Sequence, residues 1–334
     1  LSGINFYQYH FDQRMKEDLL TFKKDNKIIL INSNSRVVEF EINLDNLGDF
    51  VYRDHLYLNK DSVFICSILN KSEMFILLMK ADGEIYQQWN INKLVKKNIA
   101  AYFYIDSRYA HPMTFIQNKL YFQASYKFKP GAYIGSGVPI EMVLDLQCNS
   151  GHQIGELPDE YQQGFFYGNQ QWEYSRVINN KGELVFSFPI SHDIYVFSES
   201  GQFIKATRCK SHFIDKFKPI GKNFTNDLSS IMDAYNYNAQ YSELLYDRYN
   251  NQYLRIVLHN LGKFGENGKI IDFNTRPWSV MVLDENLQLI KEVLMPGNNF
   301  WKRLVISDQA LMLKPTGNDD SNEIQVYKFQ PCLH

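Results

Sequence analysis

A strand-turn-strand phrase returns six times along this chain, and repetition on that scale restricts the fold to an array of similar units. The clearest copies are residues 176–188 (RVINNKGELVFSF) and 303–313 (RLVISDQALML). Weaker copies occupy 114–122, 55–65, 246–257 and 19–31. The apolar positions that follow the first turn of each copy are Ile28, Val63, Leu120, Leu184, Leu254 and Leu311. Their spacings of 35, 57, 64, 70 and 57 residues bracket the length of a four-stranded propeller blade, and the longer ones imply insertions.

A second half follows in most units: an apolar strand, a tight polar turn and another strand, as in 75–85, 142–154, 194–204 and 280–290. Asp82-Gly83 and Ser200-Gly201 supply the left-handed backbone that such turns need. Two hairpins per unit make one propeller blade. The expected fold is all-β: a single-domain six-bladed β-propeller over 1–334, four antiparallel strands per blade. The blades fall at roughly 17–48, 51–92, 113–157, 174–207, 244–296 and 301–330. The last unit lacks a fourth strand, and residues 4–11 are expected to supply it and close the ring, which removes two exposed sheet edges. Helices are expected only in connections, at 90–97 and 226–233.

An aromatic share of 15%, with 24 Phe and 22 Tyr, suits pleated strands. The formal net charge of −2, without a long basic tract, argues against a phosphate-tracking nucleic-acid protein and against strong attachment to anionic lipid. No apolar run approaches the length of a membrane span. Cys66, Cys148, Cys209 and Cys332 form no metal or redox spacing, and Cys66 reads as a small buried residue; a disulfide stays open. Phosphate-loop, nucleophile-elbow, zinc-protease and dinucleotide phrases are missing, as are Asp-box repeats. Asp319-Asp320 lacks calcium-loop spacing. No cofactor is expected.

Turns within a hairpin are short, whereas 92–113, 127–140, 157–173, 206–243, 260–277 and 314–322 are long and project from the other face. Long loops on a rigid scaffold carry function. Arg176 and Arg303 each precede their anchor by eight residues, and Arg248 precedes Leu254 by six. Placed at the starts of innermost strands, these side chains form a partial cationic ring that suits carboxylate, sulfate or phosphate. Trp172, Tyr174 and Trp301 add stacking surfaces, and His192 a polarised imidazole. The competing reading is that each Arg staples adjacent blades and that His192-Asp193 is an ordinary turn. The favoured function is a non-enzymatic binding protein for a small anionic or glycan-like ligand, or a peptide. A carbohydrate-active hydrolase or lyase, with Glu173, Tyr174 or His192 transferring the proton, is the alternative, and a scaffold for envelope proteins is the third.

Residues 246–258 (YDRYNNQYLRIVL) and 276–292 (RPWSVMVLDENLQLIKE), with 186–195 (FSFPISHDIY), resemble a family of predicted six-bladed propeller lipoproteins from gut and oral Gram-negative bacteria, a domain of unknown function. The resemblance implies export, a lipid-modified Cys upstream of Leu1 and residence in the cell envelope, either periplasmic or anchored at the outer membrane. It brings no activity. Tyr246, Asp247, Tyr249, Tyr253 and Arg255 match the family phrase and are expected to be structural, with Arg255 paired to an acid.

Overall fold

The computed structural model describes residues 7–12, 17–24, 26–32, 38–70, 73–94, 103–104, 112–123, 125–126, 140–162, 174–220, 227–295, 305–306, 311–313 and 325–327. They are predominantly antiparallel strand and group into two compact units.

The first unit, drawn mainly from 1–127 and 140–154, holds three four-stranded sheets, each ordered as an up-and-down meander. Sheet one contains β1 (Tyr7–Asp12), β2 (Glu17–Lys24), β3 (Lys27–Asn32) and β4 (Val38–Asn43). Sheet two contains β5 (Val51–Asn59), β6 (Ser62–Leu69), β7 (Glu73–Met79) and β8 (Ile85–Asn90). A two-stranded pair joins β9 (Phe103–Tyr104) to β12 (Ser125–Tyr126). Sheet three contains β10 (Thr114–Ile116), β11 (Lys119–Gln123), β13 (Glu141–Asp145) and β14 (Ser150–Ile154).

The second unit, drawn mainly from 155–317, holds sheets four to six. Sheet four contains β15 (Ser175–Ile178), β16 (Leu184–Ser187), β17 (Asp193–Phe197) and β18 (Phe203–Arg208). Sheet five contains β19 (Gln240–Asp247), β20 (Gln252–Leu258), β21 (Trp278–Leu283) and β22 (Leu289–Leu294). Three described strands, β23 (Val305–Ile306), β24 (Leu311–Leu313) and β25 (Gln325–Tyr327), form sheet six.

Burial follows strand order. The second strands β6, β16 and β20 are apolar runs buried on both faces, whereas of the fourth strands β4, β8 and β18 are largely exposed and β22 is partly so. Sheets stack face to face within each unit. Tyr57, Ile65 and Leu77 meet Ile28, Leu30 and Ile42 of sheet one, while Leu56, Phe64 and Ile76 meet Leu120, Phe122 and Met142 of sheet three. In the second unit Val185 and Ile194 meet Tyr253, Val257 and Met281. Each such large apolar side chain contributes about 1.5–3 kcal/mol when fully buried.

The turn chemistry holds where it is described. Gly83 sits at φ 93°, and an added Cβ there would lie 2.9 Å from the Asn46 amide that donates to the Gly83 carbonyl. Both the backbone and the close approach therefore exclude a side chain.

Among the described residues the N-terminal strand is not the fourth strand of the last sheet. Strand β1 pairs with β2, Tyr7 opposite Phe22 through Asp12 opposite Glu17, and is the first strand of sheet one. The copy at 19–31 is therefore the second and third strand of its sheet, whereas every other copy holds the first and second. The tight turn between Lys24 and Lys27 has the chemistry of a first hairpin, which displaced the reading by one strand and produced the short 35-residue spacing.

Both expected helices form: α1 (Ile91–Leu94), with Asn90 accepting from the Lys93 amide, and α3 (Leu228–Tyr237). Between them α2 (Asp159–Gln162) was not anticipated. In α3 the buried stripe is Ile231, Ala234 and Tyr237, and Met232 turns outward, 40% exposed. Asp227 caps the helix by accepting from the amides of Ser229 and Ser230. An Asp227→Ala variant is expected to lose about 1 kcal/mol, seen as faster hydrogen exchange of α3 amides.

Candidate functional site

The chemistry of the second unit gathers where the connections leave sheets four and five. Its frame is Arg255, in the middle of β20 and completely buried. Nε donates to Ser187 Oγ (2.8 Å), Nη1 to the carbonyls of His192 and Cys209 (both 3.1 Å), and Nη2 to those of Phe188 (3.3 Å) and Ser191 (2.7 Å). Its guanidinium carbon lies 3.4 Å from the centroid of the Tyr241 ring. The planar fork thus uses all five donors on the end of the neighbouring sheet, fixing the β16–β17 loop and the exit of β18. Burial works against the charge and lowers the pKa from the ordinary arginine value. The expected acidic partner is replaced by carbonyl oxygens and Ser187.

A chain of polar side chains runs from this frame. His192 Nδ1 and the Tyr241 hydroxyl are 2.8 Å apart, and that hydroxyl also accepts from the Ser211 amide (3.0 Å). Ser211 Oγ and Ser279 Oγ both donate to Glu292 Oε1 (2.6 and 2.7 Å). The other Glu292 oxygen accepts from the His212 amide (2.8 Å) and faces His212 Nδ1 at 3.2 Å. His259 Nε2 reaches Ser279 Oγ at 2.9 Å. Two buried imidazoles are joined through a carboxylate whose side chain is 1% exposed. Burial, followed by the cations Arg208, Arg255 and Lys210, pushes the His192 pKa from 6.5 to about 4. Burial lowers that of His259 as well.

Arg276 is a second staple. Nε donates to the His259 carbonyl (2.7 Å), and Nη1 and Nη2 take the carbonyls of Tyr235, Asn236 and Asn238 at the end of α3. A cation there satisfies carbonyls the helix leaves open. Burial brings its pKa down to about 9.

Beside this frame the chain is locally basic, a stretch we term the basic ledge. Lys205 and Arg208 on β18 and Lys210, Lys216 and Lys218 after it are all exposed; Asp215 pairs with Lys210 at 2.8 Å and Asp193 faces Arg208 at 3.9 Å. In a chain of net charge −2 this is a local excess of cations.

The sequence candidates distribute unevenly. Arg176 lies on β15 and Tyr174 just before it; each is 2% exposed, and Tyr174 packs against Phe186 and Phe188. His192 belongs to the buried network, and its turn is built on Ser191 Oγ accepting from the Asp193 amide rather than on the Asp193 side chain. Arg248 is not brought to this end. It follows the last residue of β19, in the turn where its carbonyl accepts from Asn180 at the opposite end of the strands, because β19 starts at Gln240 and not near Tyr246. Trp172, Glu173, Trp301 and Arg303 lie outside the described residues. Tyr241, Ser211, Ser279, His259 and Glu292 were not anticipated. Arg255 carried one signal: a charge inside the apolar run YLRIVL must find partners wherever both strand faces are buried.

Cys66 and Cys209 are buried free thiols and Cys148 an exposed one. Among the described residues no group of acids, His and Cys has the arrangement of a metal site, and no helix is long and apolar enough to cross a membrane.

A crystal structure of a DUF4221 family member from Bacteroides vulgatus superposes with a TM-score of 0.73 over 98% of this chain and 94% of that one, at 17% identity. Weaker likenesses include the hydrazine synthase of Kuenenia stuttgartiensis (TM-score 0.47, 9% identity, 94% of this chain and 74% of that one). Another is the virginiamycin B lyase of Staphylococcus aureus (TM-score 0.43, 11% identity, 92% and 76%). No curated protein matches the sequence. The family model described as a domain of unknown function, DUF4221, matches residues 13–294, and the superposition agrees with it in fold. This chain belongs to the DUF4221 family.

Proposed function

We propose that this chain is a six-bladed β-propeller of the cell envelope that binds an anionic, glycan-like ligand on its long-loop face without converting it. Five four-stranded meanders in sequence order, followed by a three-stranded set, support the blade count. Export and a lipid anchor rest on the resemblance of 246–258 and 276–292 to propeller lipoproteins.

The observation that carries the binding reading is the run of five exposed cations at 205–218, two on β18 and three on the connection after it that Arg255, Tyr241 and Glu292 hold in place. A pre-ordered loop loses little entropy when a ligand arrives, and clustered like charges raise the local concentration of anions. Arg176 at the start of its sheet, with Trp172, Trp301 and Arg303, are the remaining candidates. The Lys216→Glu/Lys218→Glu variant is expected to bind a sulfated or carboxylated polysaccharide about tenfold or more weakly by calorimetry, and the wild-type affinity to fall with added salt. Equal affinity in the two proteins would refute the ledge.

One arrangement favours the enzymatic reading. Glu292 orients His212 through Nδ1, and the imidazole is 72% exposed, which is the geometry of a carboxylate-supported general base. Under that reading the proton-transfer group is His212 rather than His192, whose ring is buried, or Tyr174, which is core; Glu173 lies outside the described residues. Release of product from an acidic glycan by wild type but not by His212→Ala would replace the binding reading.

A further inference from the structure

Phe213 is 41% exposed although it is a large apolar side chain, and its ring is held flat against the imidazole of His259, centroids 4.2 Å apart and planes 18° from parallel. One face is covered and its orientation is fixed. Its amide donates to Ser211 Oγ, the same hydroxyl that donates to Glu292. The preceding residue, His212, donates its backbone amide to Glu292, and its Nδ1 lies 3.2 Å from the same carboxylate oxygen. With the ring 72% exposed and Nδ1 engaged, Nε2 is the edge left toward solvent. A fixed aromatic face and an exposed imidazole therefore follow one another on a connection whose backbone amides are held by Ser211 and Glu292.

We infer that His212 and Phe213 form the recognition subsite of this ledge, for a pyranose that carries a carboxylate or sulfate. This rests on the anion-binding reading above and names its ligand class. The aliphatic C–H face of the sugar lies on the open face of Phe213, where apolar contact replaces ring hydration. In its imidazolium form His212 has an N–H on both ring nitrogens, Nδ1 facing Glu292 and Nε2–H donating to the acid group. Lys216 and Lys218 supply the surrounding field. Lys210 is already engaged with Asp215. A simple anion satisfies the donors and leaves Phe213 bare. A neutral sugar covers Phe213 and leaves the cations unused. Only an acidic sugar meets both.

The experiment compares four probes by calorimetry: oligogalacturonate, dextran sulfate, neutral dextran and polyphosphate. Wild type is set against Phe213→Ala, Phe213→Trp, His212→Gln and Lys216→Glu/Lys218→Glu. Phe213→Ala is expected to weaken the acidic glycans about tenfold while changing polyphosphate by less than about twofold, and His212→Gln to weaken both kinds of anion. Phe213→Trp keeps the platform and retains binding. Selective response to oligogalacturonate or to dextran sulfate distinguishes a carboxylate from a sulfate. If Phe213→Ala and His212→Gln bind acidic glycans like wild type while the double lysine variant does not, the subsite is overturned and the anion reading stands. If neutral dextran binds as tightly as the acidic glycans, the requirement for an acid group is overturned. If wild type binds no polyanion, both readings fall.

Discussion

An Arg255→Met protein is expected to unfold with about 3–5 kcal/mol less free energy than wild type. Methionine fills similar volume and is apolar, so the loss isolates the donors. Four backbone carbonyls, of Phe188, Ser191, His192 and Cys209, and the Ser187 hydroxyl lose the same partner at once. An unsatisfied buried acceptor costs about 1–3 kcal/mol, and the carbonyls of Phe188, His192 and Cys209 keep second donors in the Ser191 amide, the Cys209 amide and the Tyr241 hydroxyl, which offsets some of the sum. Arg255→Lys keeps the charge but offers three donors from a single nitrogen, and is expected to recover less than half of the loss. Urea unfolding followed by tryptophan fluorescence measures this, since Trp278 is fully buried one strand from Arg255. A methionine variant with the wild-type midpoint would show that the five bonds contribute nothing net. The same substitution frees the exit of β18 at Cys209, so ligand binding on the ledge is expected to weaken in whatever fraction remains folded.

The array of hairpins was legible because strand pairing in a meander is local. An apolar run, a turn rich in Asn, Asp and Gly, and a second apolar run define both the pair and its register. Ordering the hairpins within a sheet was less legible, since first and second hairpins use the same turn residues. The second and third strands of sheet one were thus read as a first hairpin, and 4–11 was assigned to the end of the chain when β1 in fact pairs with β2. Arg248 failed for a related reason: counting back from Leu254 assumed an inner strand of the same length as at Arg176, but β19 ends at Asp247.

The site was legible only in the loop lengths and in Arg255. Its other members, Tyr241, Ser211, Ser279, His259 and Glu292, are ordinary residues in any strand or connection and lie up to 81 positions apart where they bond, as Ser211 does with Glu292. Nothing local marks them. They become a unit because strand ends from two stacked sheets converge, and burial there leaves each polar atom no alternative to its neighbour.

Acid is expected to destabilise the second unit in a window set by His192. Its pKa is about 4 in the folded protein, against 6.5 for an ordinary imidazole. The unfolded chain takes up a proton as pH falls through 6.5, while the folded protein refuses it until about 4. Stability is therefore complete above the unfolded value, declines across the window and levels out below it with respect to this group, for a total of about 2–3 kcal/mol. The cause is chiefly burial, reinforced by the cations Arg208, Arg255 and Lys210. His259, lowered by its own burial, adds in the same direction. The carboxylates of Asp45, Asp145, Asp215 and Asp227 are held below the ordinary 3.8 by their hydrogen bonds, so their loss begins at about pH 5, as the unfolded chain takes up protons, and overlaps only the acid end of the imidazole window. Urea midpoints measured from about pH 7 to pH 4 are expected to fall steadily in wild type and by less than half as much in His192→Gln, which cannot take up the proton. Parallel slopes in the two proteins would remove His192 as the cause. Because the His192 ring and the Ser211 amide share the Tyr241 hydroxyl, protonation that displaces this contact also loosens the loop that carries His212 and Phe213. Acid is thereby expected to slacken the support of the ledge, and ligand binding measured across the same window is expected to fall in wild type and to fall less in His192→Gln.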